Sequence, residues 1–276
     1  MKNRYRLLFL TAVMGGGYLS LKYINPYGGA ITLSELVLQL SGSRGSFALG
    51  FSLLELEAFG MCLFPAYIFE VYAGTMLYRH FCTASIYIFS RCPHRMKWYM
   101  REVCHLCAAV SVFHILLLAA AVLTAVIRYT IQPDSAGIAL LVYHFLIQSL
   151  WVYIMALLVN LFAVFWGSST SYAIVVGAQL ICIVLLNLMD RLVRASDGRL
   201  SYENILIWNP VSHLVVGWHS SNAESVRQVL TSSYMQADLY HSLIMLLAAG
   251  IIITFAGAFV IKKHDLLISD LETGVT

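Results

Sequence analysis

Residues Tyr78–His105 read YRHFCTASIYIFSRCPHRMKWYMREVCH, and the reading of this stretch decides the fold. It carries Arg79, Arg91, Arg95, Lys97 and Arg101 against a single acid, Glu102. The chain on either side is close to pure hydrocarbon. A basic, aromatic-rich segment between two apolar runs belongs on the cytoplasmic side of a membrane. Pro93 suits the first turn of a helix, where its missing N–H is no loss. From there to Arg101 the residues suit a helix. His94, Lys97 and Arg101 share one polar face, while Met96 and Met100, with Tyr99 beside them, form an apolar ridge. Trp98 and Tyr99 also suit a membrane interface. In the plainest reading this helix snorkels its cations at the inner leaflet. In the functional reading it is the docking surface for a second protein that supplies energy.

Composition agrees with a membrane setting. Hydrophobic residues make up 60% of the 276 and charged ones 11%, about half the charge fraction of soluble domains. The net charge of +3 is too small to point to nucleic acid. None of the six cysteines, Cys62, Cys82, Cys92, Cys104, Cys107 and Cys182, falls in a segment placed outside, so no structural disulfide is expected.

The expected class is therefore an all-α integral membrane protein with six transmembrane helices, at about 5–24, 49–73, 104–127, 138–166, 172–189 and 241–261. A charged start before an apolar run also describes a signal peptide. The first run has about the ~20 residues a bilayer needs, and it lacks an A-x-A site. Gly15, Gly16 and Gly17 allow a close helix neighbour. The loop 78–103 and both termini are placed inside, and the long segment 190–240 outside. Ten cations then lie inside and seven outside, four of the latter in the longest loop, where the bias is weaker. Thr32 and Glu35 have capping-box spacing for a short amphipathic helix on the outer surface. Ser221 and Glu224 repeat it, predicting a helix through about Ser232. Trp208, Asn209, Pro210 and Trp218 lie in a segment too apolar for a solvated loop and too broken to span, read as re-entrant or interfacial. No internal repeat and no second domain are visible.

Glu55, Glu57 and Glu70 fall in the second run, where insertion scales put a central charge at about 2.5–3.5 kcal/mol. Glu55 and Glu57 point to nearly opposite faces, so one faces a partner helix or a polar pathway and the other the outer headgroups. Glu70, near the inner end, is expected to meet an arginine of the basic stretch.

Metal, haem and hydrolytic chemistry find little support. Cys104-His105-Leu106-Cys107 has no second pair to complete four zinc ligands. His114 and His144 are expected to differ by about 10 Å in depth, too far to share an axial pair. H-E-x-x-H, G-x-S-x-G and the P-loop G-x-x-x-x-G-K-[ST] are all missing, so no catalytic residue, metal site or nucleotide site is assigned.

The layout resembles the ABC-2 family of ABC transporter permeases, with type V exporter-like architecture. Tyr87, Arg91, Arg95 and Trp98 resemble the Y…R…R..W string of members linked to export of, or immunity to, peptides such as lantibiotics. Asn209-Pro210, with Leu214 and Trp218 after it, resembles the NP-containing outer segment before the last span. Many members carry a long amphipathic helix before span one, whereas only a few residues precede it here. The resemblance implies a multi-pass cell-membrane permease subunit that pairs with a second copy or a related chain among membrane lipids. A separate ABC ATPase subunit, carrying ATP and Mg, would grip the coupling helix around Pro93, Arg95, Lys97, Trp98 and Arg101. An amphipathic peptide or lipid-like molecule would be its cargo. The alternative reading is a stand-alone proton-coupled transporter using Glu55 or Glu57.

Overall fold

The third apolar run folds as a single helix, α5 (Arg95–Arg128), of 34 residues, about 50 Å long against the ~30 Å hydrocarbon core of a bilayer. The computed structural model describes residues 2–22, 29–42, 53–87, 95–196, 200–230, 235 and 237–263, with 2–5, 53–58, 82–87 and 190 described by backbone alone. The expected loop helix and the span expected from Cys104 form one continuous helix. No glycine or proline lies between Arg95 and Cys104, so nothing stops the helix, and the cationic residues form its first turns.

Helix α1 (Lys2–Leu21) runs parallel to α5. Gly16 allows the approach, since a Cβ there would lie 2.1 Å from the Leu117 carbonyl oxygen, and Gly15 lets α1 meet the following long helix, where a Cβ would lie 2.9 Å from Pro65 Cγ. Each of the two helices leads into a three-residue strand. β1 (Ala30–Thr32) and β2 (Thr130–Gln132) pair in parallel, Ile31 opposite Ile131. Two helices then start side by side, α2 (Leu33–Leu40) and α6 (Ser135–Trp166). Asp134 Oδ2 accepts from Gly137 N at 3.0 Å and Oδ1 from Ser34 N at 3.1 Å, so one carboxylate serves both helix starts. The helix–strand–helix unit is thus present twice, an arrangement invisible in the sequence. The first capping box forms as expected: Thr32 Oγ1 accepts from Glu35 N at 3.2 Å, and Glu35 Oε2 from Thr32 N at 3.0 Å.

Helix α3 (Leu53–Ala73) returns along the bundle and breaks at Gly74-Thr75 before α4 (Met76–Tyr87). Gly74 closes α3 onto the Glu70 carbonyl at 2.8 Å, and Asn160 Oδ1 of α6 accepts from Tyr78 N at 2.9 Å, capping the new helix. Gly167, at φ +77°, turns α6 directly into α7 (Ser168–Asn187). The interval 167–171 left between the expected fourth and fifth spans shrinks to that one residue, whose positive φ needs no Cβ to be accommodated.

Segments α8 (Met189–Ala195), α9 (Tyr202–Trp208), two 3-10 turns at Ser212–Leu214 and Val216–Trp218, and α10 (Glu224–Arg227) form a cap, with the 3-10 turns and α10 against α6 and α8 against α7. Helix α11 (Leu239–Lys263) runs parallel to α6, joined where Tyr153 Oη meets Thr254 Oγ1 at 2.6 Å. The second capping box does not form. Ser221 Oγ accepts from Ala223 N, and Glu224 turns forward to Arg227, so α10 is a single turn.

The strands, α2 and the cap lie at one end of the bundle. The starts of α1, α5 and α7 and the ends of α6 and α11 lie at the other, the basic end. Five stretches are long and apolar enough to cross a membrane: Phe59–Phe81 across the α3–α4 break, Arg95–Arg128, Ser135–Trp166, Ser168–Asn187 and Leu239–Lys263. The apolar part of α1, Arg6–Leu21, is shorter. The protein is an all-α bundle of membrane-spanning character.

Candidate functional site

At the basic end, Lys97 and Arg101 are exposed on α5 beside exposed Met96 and Met100, and Arg95 is half-buried. Tyr99 departs from the expected ridge. It is fully buried on the opposite face, its hydroxyl donating to the Thr254 carbonyl of α11 at 3.0 Å. A phenol buried in an apolar bundle needs an acceptor, and that need sets the helix rotation. Gly257 makes room for it, since a Cβ there would lie 2.2 Å from the hydroxyl. Trp98 is buried against Phe81 of α4, ring centroids 5.7 Å apart, so it shapes the face from beneath. His80 of α4 meets Glu102 at 3.0 Å. The cationic face is thereby braced on α4 and α11. Tyr87 closes α4, described by its backbone alone, while Arg91 and Pro93 lie outside the described residues.

At the capped end Trp208 is 85% exposed, whereas Asn209 and Trp218 are buried and Pro210 is half-buried. Asn209 Nδ2 donates to the Cys182 carbonyl of α7 at 2.7 Å, and its Oδ1 accepts from Val211 N at 3.0 Å. This one side chain pins the cap to α7. A second clip was not legible in the sequence. Ser242 Oγ of α11 lies 2.7 Å from both His213 Nδ1 and His219 Nε2. His213 Nε2 donates to the Ile207 carbonyl at 3.0 Å, and His219 Nδ1 to that of Val215 at 3.0 Å. Burial pushes both imidazoles below their ordinary pKa, His219 to about 4, each also feeling a neighbouring histidine. They are neutral at neutral pH, so their remaining nitrogens both face the hydroxyl as acceptors.

Between the two ends lies Glu70 of α3, with no exposed surface. The expected arginine partner is not found among the described residues. Glu70 Oε2 accepts from Gln179 Nε2 of α7 at 2.9 Å, because the side chain points inward across the bundle while the cations lie on its outer face. Glu70 Oε1, Gln179 Oε1 and the Tyr67 hydroxyl are buried without a partner. Glu55 and Glu57 fall in the first turns of α3, and their side chains lie outside the described residues. Gln179 was overlooked in the sequence reading. Its signal was an amide in an otherwise apolar run, and Asn160 gives the same signal in α6.

Among the described residues no group of three or more His, Cys, Asp or Glu side chains is placed to hold a metal ion. His114 and His144 are buried inside the bundle, His114 Nδ1 donating to the Val110 carbonyl at 3.2 Å. Comparison with protein-family models, with curated proteins and with solved structures finds no match to this chain.

Proposed function

We propose that the chain is the membrane-spanning subunit of a transporter powered by a separate ATPase, of the ABC-2 permease kind. In this reading α1 is the sixth span, both chain ends lie in the cytoplasm, and two permease subunits together form the path for an amphipathic peptide or lipid-like molecule across the cell membrane. The observation that carries it is the exposed Met96, Lys97, Met100 and Arg101 face at the basic end. Methionines adapt to a partner's surface and cations set its register, the composition of a docking face. Behind that face, Tyr99 holds α11 and His80 holds α4, so a push on it reaches three helices. ATP and Mg would sit on the partner chain, consistent with the missing P-loop.

The test is copurification. The tagged chain, extracted from its native membrane, is expected to bring down a P-loop ATPase. The double reversal Lys97→Glu with Arg101→Glu is expected to lose that ATPase while keeping the wild-type melting profile. Retention of the ATPase by the folded double variant overturns the reading.

A further inference from the structure

We infer that Glu70, with Gln179, is a proton-binding site inside the bundle, holding one proton on its carboxyl while α3 and α7 are packed together. The inference stands on the buried side chains alone and does not depend on an ATPase partner.

Glu70 has no exposed surface and lies within the apolar stretch Phe59–Phe81. Its contacts are few. One N–H, from Gln179, reaches Oε2, and among the described residues no lysine or arginine pairs with it. A carboxylate in such a place would keep its charge with one hydrogen bond and no counter-ion, which buried acids avoid by remaining protonated. The hydrogen-bond inventory points the same way. Gln179 Oε1 is a buried acceptor with no donor, and Glu70 Oε1 has no partner. The ionised form would leave Glu70 Oε1 as a second buried acceptor with no donor. The acid adds the missing donor on the side where the Gln179 carbonyl oxygen is itself unpartnered.

The surroundings contribute no compensating charge. Tyr67 on α3 and Tyr172 on α7 are the titratable groups that sense Glu70. Helix α6 brings Val159 against the break after Glu70, and its titratable side chains are Tyr143, His144 and Tyr153, none of them a cation at neutral pH beside Glu70. Helix α5 meets this part of α3 through Phe113 against Phe69, centroids 4.9 Å apart. Loss of the proton therefore requires water to reach the carboxyl, which requires α7 to move off α3 just above the Gly74-Thr75 break. Proton binding and this helix contact are one equilibrium.

The test uses the full chain in phosphatidylcholine vesicles and N,N′-dicyclohexylcarbodiimide. A protonated carboxyl adds to this reagent: its hydrogen goes to a carbodiimide nitrogen, its oxygen bonds to the central carbon, and acyl migration leaves a stable N-acylurea with nothing expelled. Mass spectrometry is expected to find the adduct on the Glu70 peptide at neutral pH, falling about tenfold per unit once pH exceeds the site's pKa. Glu70→Gln is expected to lose it. Infrared spectra provide an independent readout, in which wild type minus Glu70→Gln shows the carbonyl stretch of a protonated acid. Should Glu70→Gln fail to fold, Gln179→Leu keeps the acid and removes its donor, and the band is expected to move to higher frequency. The inference is overturned if the folded chain shows no protonated-acid band from Glu70 at neutral pH. It is equally overturned if sodium or potassium chloride, rather than rising pH, abolishes the adduct, since the site would then be one for a monovalent cation.

Discussion

At Ser242 a single hydroxyl hydrogen faces two imidazole nitrogens, both 2.7 Å away. The outer nitrogens of His213 and His219 spend their hydrogens on the Ile207 and Val215 carbonyls. Ser242→Ala removes the shared group and leaves two buried acceptors bare, a loss of about 1–3 kcal/mol to be read in thermal melts of detergent-solubilised protein. The same clip gives a pH dependence of definite sign. Burial lowers the His219 pKa from 6.5 to about 4, so the unfolded cap takes up a proton first as pH falls. Stability from this residue is complete above about 6.5 and is lost as pH drops through the window towards about 4, about 3 kcal/mol in all for His219. Protection factors across residues 209–219, with the intrinsic pH dependence of amide exchange divided out, are expected to fall over that range and to be flat above it. His213 shifts in the same direction and widens the effect. The pair was not legible as a unit, because nothing local links two histidines to a serine 29 and 23 positions away.

At the scale of the element, α1 and α5 lie backbone to backbone at Gly16 and Leu117. In an apolar surround such contacts rest on close packing of small residues, with no gain from excluding water. Gly16→Leu is expected to force the helices apart and lower stability by about 1–3 kcal/mol, with the loss seen as a lower midpoint of thermal unfolding. The glycine run was legible as a close-approach site, and so was the Thr32–Glu35 box, since both depend on residues within one helix turn. The matching Ser221–Glu224 pattern misled for a related reason. Its spacing was correct, but Arg227 one turn on offered Glu224 a better partner. The rotation of α5 was also out of reach, because the residue that sets it, Tyr99, bonds to Thr254, 155 positions away.

For the whole molecule, the cap and the cationic face of α5 stand at opposite ends of the bundle. Trp208→Cys and Arg101→Cys, each made on an exposed position, are therefore expected to react with a membrane-impermeant maleimide from opposite sides of a sealed vesicle. Labelling of both from one side would overturn the bundle's direction through the membrane. The amino-acid sequence by itself determined that this is a helical membrane protein, roughly where its long helices begin and end, and that a cationic segment divides them. Those properties follow from local hydrocarbon content and length measured against a bilayer. Only the tertiary structure decided that Tyr99 is buried while Met96 and Met100 are exposed, that Glu70 meets an amide rather than an arginine, and that one serine holds two histidines. Each of these is a choice of partner made across the bundle. Partners of a buried polar group are selected by which distant side chain reaches it, and sequence spacing carries no record of that distance.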